Sequence, residues 1–430
     1  MGNAFIAVYD DGTAATWNPA GLSQLRKPEL SLVHSTSRRN QFREGFRTLD
    51  RSGAFTTLKT ASTAANVEFA SAALPFTLVG KSVTVQLGWR RLYQFSGKIQ
   101  GETSRVPVTT GGRPESLIRF DNSSSGSINL WTFAGAVRVT NRVSVGWSTD
   151  FYGGQWEDRA NASENPGTVD PIDFVSSRVS NEIGGHTLNL GLLLTYPSVR
   201  VGVVYHGALR SGYEVSQSYR SSLTEPSDTH FGRDAGITLR FPRSLGLGIA
   251  WLPTPLLRLA LDVTYNEWTK FLLEGTPSSP DQPVSGFDGL TPELSATRNT
   301  VTWNAGLERL FPVQDRYLPF RLGLSYEPQG GRDPFLRADA HQKVLAAGTG
   351  LNSNNVKLDV AVEYRWGSFR HTANLSPVYQ VGRAEELGLA APPEAEGTTR
   401  TQEFRLKVSM IYRITSAETI GRALRKAFGS

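Results

Sequence analysis

In "VKLDVAVEYRW", Val356, Leu358, Val360, Val362, Tyr364 and Trp366 fall on one face, while Lys357, Asp359, Ala361, Glu363 and Arg365 fall on the other. Successive side chains of an extended chain point to opposite faces, so this segment predicts a strand with one apolar and one ionic face. "LRLALDVTY" repeats the pattern, with Leu257, Leu259, Leu261, Val263 and Tyr265 opposed by Arg258, Ala260, Asp262 and Thr264. Near the end, Phe404, Leu406, Val408, Met410, Tyr412 and Ile414 form a further row. Strand candidates cover 28–36, 65–77, 81–96, 126–139, 142–154, 186–197, 199–210, 244–252, 256–271, 298–311, 318–327, 342–351, 355–367 and 402–414. That is about fourteen, with boundaries good to a few residues.

Two architectures use such strands: a soluble sandwich with one wet face, and a membrane barrel with lipid outside and a polar lumen. Several ionic faces carry full charges at mid-strand, and many apolar rows end in Tyr or Trp. Aromatics at the water boundary and charge confined to an enclosed interior suit the barrel, because lipid solvates neither charge nor unpaired backbone. The connectors sharpen the choice. Tight ones ("LVGK", "TN", "PS", "PTP", "PVQDRY", "NSNN") alternate with long polar ones at about 37–64, 97–125, 155–185, 211–243, 272–297, 328–341 and 368–401. Short turns on one side, long loops on the other and an even strand count predict an all-β fold, a transmembrane antiparallel β-barrel of the outer-membrane type.

Composition mainly excludes. The 430 residues carry a net charge of +6, scattered along the chain, and contain no cysteine. A nucleic-acid partner is therefore not expected, nor are a disulfide framework, a thiolate zinc site or a cysteine nucleophile. No run approaches the ~18 apolar residues of a spanning helix. No charged region followed by an apolar one precedes Asp10, so any export signal is expected to have been removed or to lie upstream.

The opening, "MGNAFIAVYDDGTAATWNPAGLSQL", does not alternate. With the barrel starting near Glu29, this segment begins on the short-turn side and can fold back to fill a lumen that would otherwise be a hole. Asn18 before Pro19 favours an extended residue followed by a short helical turn over "AGLSQL". Gly191, Gly202, Gly246 and Gly248, on lumen faces, would make room for such a plug.

"GNAFIAVYDDGTAATWNPAGLSQL" resembles the N-terminal hatch signature of the FadL/TodX family of outer-membrane transporters for long-chain fatty acids and aromatic hydrocarbons. "FPRSLGLGIAWLPTPLLRLALDVTYNEWTKF" and "TWNAGLERLF…LPFRLGLSYEP" resemble its later strands. The resemblance implies a fourteen-stranded barrel with a hatch whose Asn-Pro-Ala tripeptide is matched by Asn18, Pro19 and Ala20, and with lateral release of cargo through the wall. It predicts a hatch over 1–27, a barrel over 28–414 and, from residues alone, a basic amphipathic C-terminal helix over 415–430. In that helix Ile420, Leu424 and Phe428 line one face, behind a capping box at Thr415 and Glu418. Gly88 in "VQLGWRRLY" is the candidate wall kink, since glycine within a strand often marks a bulge. One departure is chemical: "GETSRVPVTTGGRPESLIRFDNSSS" is polar where the family carries apolar helices.

No nucleophile elbow, P-loop or dinucleotide fingerprint occurs, and the six histidines form no zinc-ligand pattern. Asp10-Asp11 reads as a turn or a lumen salt partner before a catalytic pair. The expectation is a non-enzymatic, passive, hatch-gated channel for hydrophobic small molecules, embedded in outer-membrane lipid, with no metal or cofactor. The alternative is a barrel that transports nothing and serves as adaptor or anchor for a secretion or surface complex, docking a protein at its loop face or C-terminal helix.

Overall fold

The computed structural model describes residues 1–8, 11–46, 56–105, 116–166, 173–221, 226–231, 236–276, 279–314, 316–332, 339–372 and 396–414. The helix expected over 415–430 and Asp10 lie outside the described residues.

Among the described residues, nineteen strand segments follow the N-terminal segment. The first half comprises β1 (Glu29–Phe46), β2 (Thr56–Leu78), β3 (Lys81–Arg105), β4 (Ser116–Arg138), β5 (Val143–Pro166), β6 (Asp173–Thr195), β7 (Val199–His206), β8 (Leu209–Ser221) and β9 (Ser227–Phe231). The second comprises β10 (Thr238–Phe241), β11 (Ser244–Thr254), β12 (Leu257–Asn266), β13 (Leu272–Glu274), β14 (Val284–Ser285), β15 (Thr300–Val313), β16 (Arg316–Pro328), β17 (His341–Asn352), β18 (Val356–Thr372) and β19 (Glu396–Arg413). All pair antiparallel, and β1 closes the sheet against β19 from Glu29↔Arg413 to Glu44↔Thr398. The wall is a closed fourteen-stranded barrel. Fourteen become nineteen through five interruptions: three at one level, at Gly207-Ala208 between β7 and β8, at Pro242-Arg243 between β10 and β11, and between β12 and β13, and two more, between β9 and β10 and between β14 and β15.

The exposure pattern inverts that of a soluble protein. On β19, Phe404, Leu406, Val408, Met410 and Tyr412 are 39–53% exposed, whereas Glu403 between them and the lumen is 6% exposed. On β11, Leu245, Leu247, Ile249 and Trp251 face outward while Gly246, Gly248 and Ala250 face in. Apolar rows turned outward around a complete circle, with carboxylates turned inward, are stable only with hydrocarbon outside. Tyr196, Phe311, Tyr317 and Tyr412 ring the short-turn end; Trp131, Phe151, Tyr265, Trp303, Tyr326 and Tyr364 ring the other edge. The protein is an outer-membrane β-barrel. No described helix is long and apolar enough to cross a membrane.

The tight connectors are hairpin turns. Between β2 and β3, Val79 (φ 48°) and Gly80 (φ 70°) take the left-handed pair that a two-residue turn requires. The long connectors differ from expectation. Much of 97–125 is wall, because β3 runs to Arg105 and β4 starts at Ser116. The same holds for β5 to Pro166 and β6 from Asp173. Strands that continue beyond the apolar band meet water on both faces, so alternation stops while pairing goes on.

Candidate functional site: the N-terminal segment and the lumen cavity

The described residues of 1–25 lie inside the barrel. Asp11 caps a 3-10 turn over Gly12–Thr16, its Oδ1 accepting from the Thr13 backbone N–H at 2.9 Å and from Thr13 Oγ1 at 2.6 Å. Asn18 then caps a second turn over Pro19–Gln24, with Pro19 at its first position, where a missing N–H costs nothing.

Asn18 is fully buried. Its Nδ2 donates to the Ile6 carbonyl and to the Leu192 carbonyl of β6, both at 3.1 Å, and its Oδ1 accepts from the Ala20 N–H at 3.1 Å. One side chain thus holds two parts of the segment together and ties both to the wall. Ala20 and Leu22 pack with Ala134, Ala136 and Leu193.

The segment meets the wall in two ways. Along β5, β6, β7 and β11, and where Gly306 of β15 and Gly323 of β16 meet Met1 and Gly2, the contact is backbone against glycine. A Cβ on Gly146 would overlap Pro19 and Ala20, on Gly191 would overlap Asn18, and on Gly202 would overlap the Ile6 carbonyl. Gly146 and Gly191 face each other across one rung, as do Gly202 and Gly248. Beside this glycine arc, Asp262 Oδ2 accepts the Ile6 N–H at 2.8 Å.

Along β15, β16, β18, β19 and β1 the lumen face is ionic. Glu308 pairs with Arg258 at 3.1 Å and Arg321 at 2.6 Å, and Arg321 reaches Asp359 at 2.7 Å. Lys357 lies 3.5 Å from Asp359 and 3.1 Å from Asp11, which joins the segment to this ladder. Glu363 pairs with Lys407 at 2.9 Å, and Glu29 with Arg413 at 2.8 Å.

Between the segment and the ionic arc lies a cavity of about 340 Å³. Phe5, Val8 and Trp17 of the segment give it an apolar floor, and Phe69, Arg90 and Arg91 line its far end. A smaller polar pocket of about 250 Å³, lined by His206, Asp262, Asn304 and Glu327, lies on the other side of Trp17.

The cavity's far end coincides with a change in the wall. The β2–β3 ladder runs from Leu78↔Lys81 to Phe69↔Arg90 and then stops. Beyond it, among the described residues, β2 pairs only with β1 and β3 only with β4. Each strand bulges just past the last shared rung: Glu68 is extra in β2, and Leu92 is extra in β3. A bulge bends its strand and increases its twist, so two bulges in facing strands turn the edges apart. Ten rungs tilted by ~45° rise about 23 Å, close to the ~25 Å apolar band of such barrels. The seam therefore begins at the band's outer edge.

Gly88 sits within the ladder, in register with Ser71 and Thr132, and the nearest irregularity lies at Arg91 to Tyr93. Asn18, Pro19 and Ala20 are brought together against β5 and β6. Asp262, the ionic ladder and the seam were not singled out from sequence. An aspartate among inward-facing small residues was a legible signal for the first, whereas the seam depends on which strands stop pairing.

No protein-family profile and no curated protein matches the chain. Solved structures do. A Pseudomonas aeruginosa FadL homologue is similar over 96% of each chain at 14% identity, with a TM-score of 0.61. The Pseudomonas putida toluene transporter TodX is similar over 96% of this chain and 97% of its own at 13% identity, with a TM-score of 0.59. The Ralstonia pickettii toluene transporter TbuX is similar over 95% of each chain at 14% identity, with a TM-score of 0.54. All three are described as transporters or their homologues, none as an enzyme.

Proposed function

We propose that this outer-membrane barrel, which has the fold of the FadL/TodX channels, is a passive channel for hydrophobic small molecules, gated by residues 1–27 acting as a hatch. A lipophile leaves water at the long-loop face and settles in the cavity on Phe5, Val8 and Trp17. Displacement of the hatch around Asn18, Pro19 and Ala20 widens the cavity toward the wall. The cargo then leaves sideways between β2 and β3 into the membrane. No energy source is required, because the cargo moves from water into hydrocarbon, a transfer favoured by about 0.8 kcal/mol per buried CH₂.

The observation that carries this reading is the coincidence of three features: a cavity floored by the N-terminal segment, a ladder that ends at the cavity's far wall, and a seam at the outer edge of the apolar band. Gly88 serves the seam as a small residue two positions below the last shared rung, where the strand begins to diverge. An adaptor would have no need for a cavity that reaches a break in its own wall.

The test is uptake of a radiolabelled lipophile into proteoliposomes by the native chain and by Asn18→Ala and Pro19→Ala variants. The reading expects uptake by the native chain and an altered rate in both variants. Unchanged rates in both would remove the hatch from the mechanism, and no uptake by any of them would remove the channel.

A further inference from the structure

The outward face of the wall carries its charge unevenly. At the short-turn end four cations stand at the feet of lipid-facing rows: Lys81 in the row of Val83, Val85 and Leu87, Arg142 beside Tyr196, Arg309 between Leu307 and Phe311, and Arg316 ahead of Leu318, Phe320 and Leu322. All four are exposed, and among the described residues none is paired with a carboxylate. No described carboxylate shares their face at this end. Glu29, at the foot of β1, is buried and taken by Arg413 at 2.8 Å, and Asp315, two residues after Val313, lies outside the described residues. The outer edge is different. There Arg159 and Arg178 share Glu157, Arg210 and Arg240 share Glu274, and Arg243 holds Glu267.

Three of the four cations are held in place. Lys81 Nζ donates to the Val139 carbonyl of the next hairpin at 2.8 Å, the Arg142 guanidinium lies over Tyr196 at 5.5 Å, and that of Arg309 lies over Phe311 at 5.3 Å. Tyr196 and Phe311 belong to the aromatic ring that marks the boundary between hydrocarbon and head groups. A cation stacked on that ring stands at the depth of the lipid phosphates, and the register turns Lys81, Arg309 and Arg316 sideways toward lipid instead of down into water. Unmatched cations at this depth attract negative head groups, and two close together favour an anionic lipid over a zwitterionic one, whose own ammonium they repel. Lys81 and Arg142 make one such patch, over β3 to β6. Arg309 and Arg316 make another on β15 and β16, with β7, β11 and β12 between the two.

We infer that these two patches bind anionic glycerophospholipids by their head-group phosphates, in the membrane leaflet at the short-turn end. This concerns the outside of the wall and stands apart from the channel reading above. Bound at two separated places, the head groups fix the depth at which the barrel sits, and with it the level of the seam between β2 and β3.

Dioctanoyl phosphatidylglycerol and dioctanoyl phosphatidylcholine, titrated against the full chain in a non-ionic detergent and counted as adducts by native mass spectrometry, test it. Phosphatidylglycerol should bind about tenfold or more tightly, as expected for two cations facing one head group, and at two sites. The K81Q–R142Q variant should lose one site and R309Q–R316Q the other. In the fourfold variant the preference should vanish while phosphatidylcholine binding stays. R142K, which keeps the charge, should keep the preference, and R210Q–R240Q, at the outer edge, should leave it unchanged. Equal affinity of the native chain for the two lipids overturns the inference. So does a preference that survives in the fourfold variant, or one that falls as far in R210Q–R240Q. Should the fourfold variant lack the electrophoretic mobility of a folded barrel, each double variant must still lose its own site, and two unchanged double variants overturn the inference as well.

Discussion

The two arcs of the lumen wall hold the N-terminal segment by opposite means. Against β5, β6, β7 and β11 the wall offers glycine, and the segment lies backbone to backbone with nothing between. Against β18 and β19, and against β15 and β16 away from the contact of Gly306 and Gly323 with Met1 and Gly2, it offers long ionic side chains, with a cavity left between them and the segment. Close packing is intolerant of added volume, because two atoms cannot share a place. Ionic contact tolerates volume but depends on charge and salt. The difference assigns roles within the proposed mechanism: the glycine arc is the seat of the hatch, and the ionic arc is the wet side along which it can move.

Breaking the seat should have the largest effect. Gly191→Val would place side-chain atoms where Asn18 Oδ1 and Pro19 now lie, so the segment must leave its seat. Planar-bilayer recording should show an open channel where the native protein is mostly closed. Asn18→Ala comes next. It removes three hydrogen bonds, two of them buried, a loss of about 2–4 kcal/mol in holding the segment, read as faster proteolysis of residues 1–27 in the intact barrel. On the ionic side, Lys357→Met strands Asp11 and should cost about 1–3 kcal/mol by the same readout. High salt should reproduce that loss in part in the native chain, while leaving the effect of Gly191→Val unchanged. Gly153→Ala, where an added methyl meets nothing, should change stability by no more than about 0.5 kcal/mol. Sensitivity of Gly153→Ala equal to that of Gly191→Val would dissolve the distinction between the arcs.

Most of the barrel was legible within the apolar band, and for one reason. Where Leu245, Leu247 and Ile249 meet hydrocarbon and Gly246 and Gly248 meet the lumen, each residue faces one of two solvents, and period two is compulsory. Above the band both faces are wet, so "RFDNSSS" pairs as part of β4 without announcing it, and it reads as loop. Within the site, Asn18-Pro19-Ala20 stood out through its resemblance to the family's hatch tripeptide, while the local preference of Asn before Pro marked only a turn. The ionic ladder did not, because Glu308, Arg321, Asp359 and Lys357 lie on different strands, and only register brings them into line. The seam is further from reach still. It consists of rungs that β2 and β3 do not share, and two one-residue bulges, at Glu68 and Leu92, leave no compositional mark.

The most direct measurement uses the absence of cysteine. A Cβ on Gly12 would stand 2.9 Å from Ser71 Oγ of β2, close to the ~3 Å from Cβ to the opposite sulfur in a disulfide, so Gly12→Cys with Ser71→Cys should form a bond across segment and wall once the Ser31 hydroxyl, 2.8 Å from that Cβ, turns aside. In proteoliposomes, uptake of the radiolabelled lipophile by the oxidised double variant should fall to the protein-free background and return on addition of a reductant. Full uptake with the disulfide intact would contradict a gate made by residues 1–27.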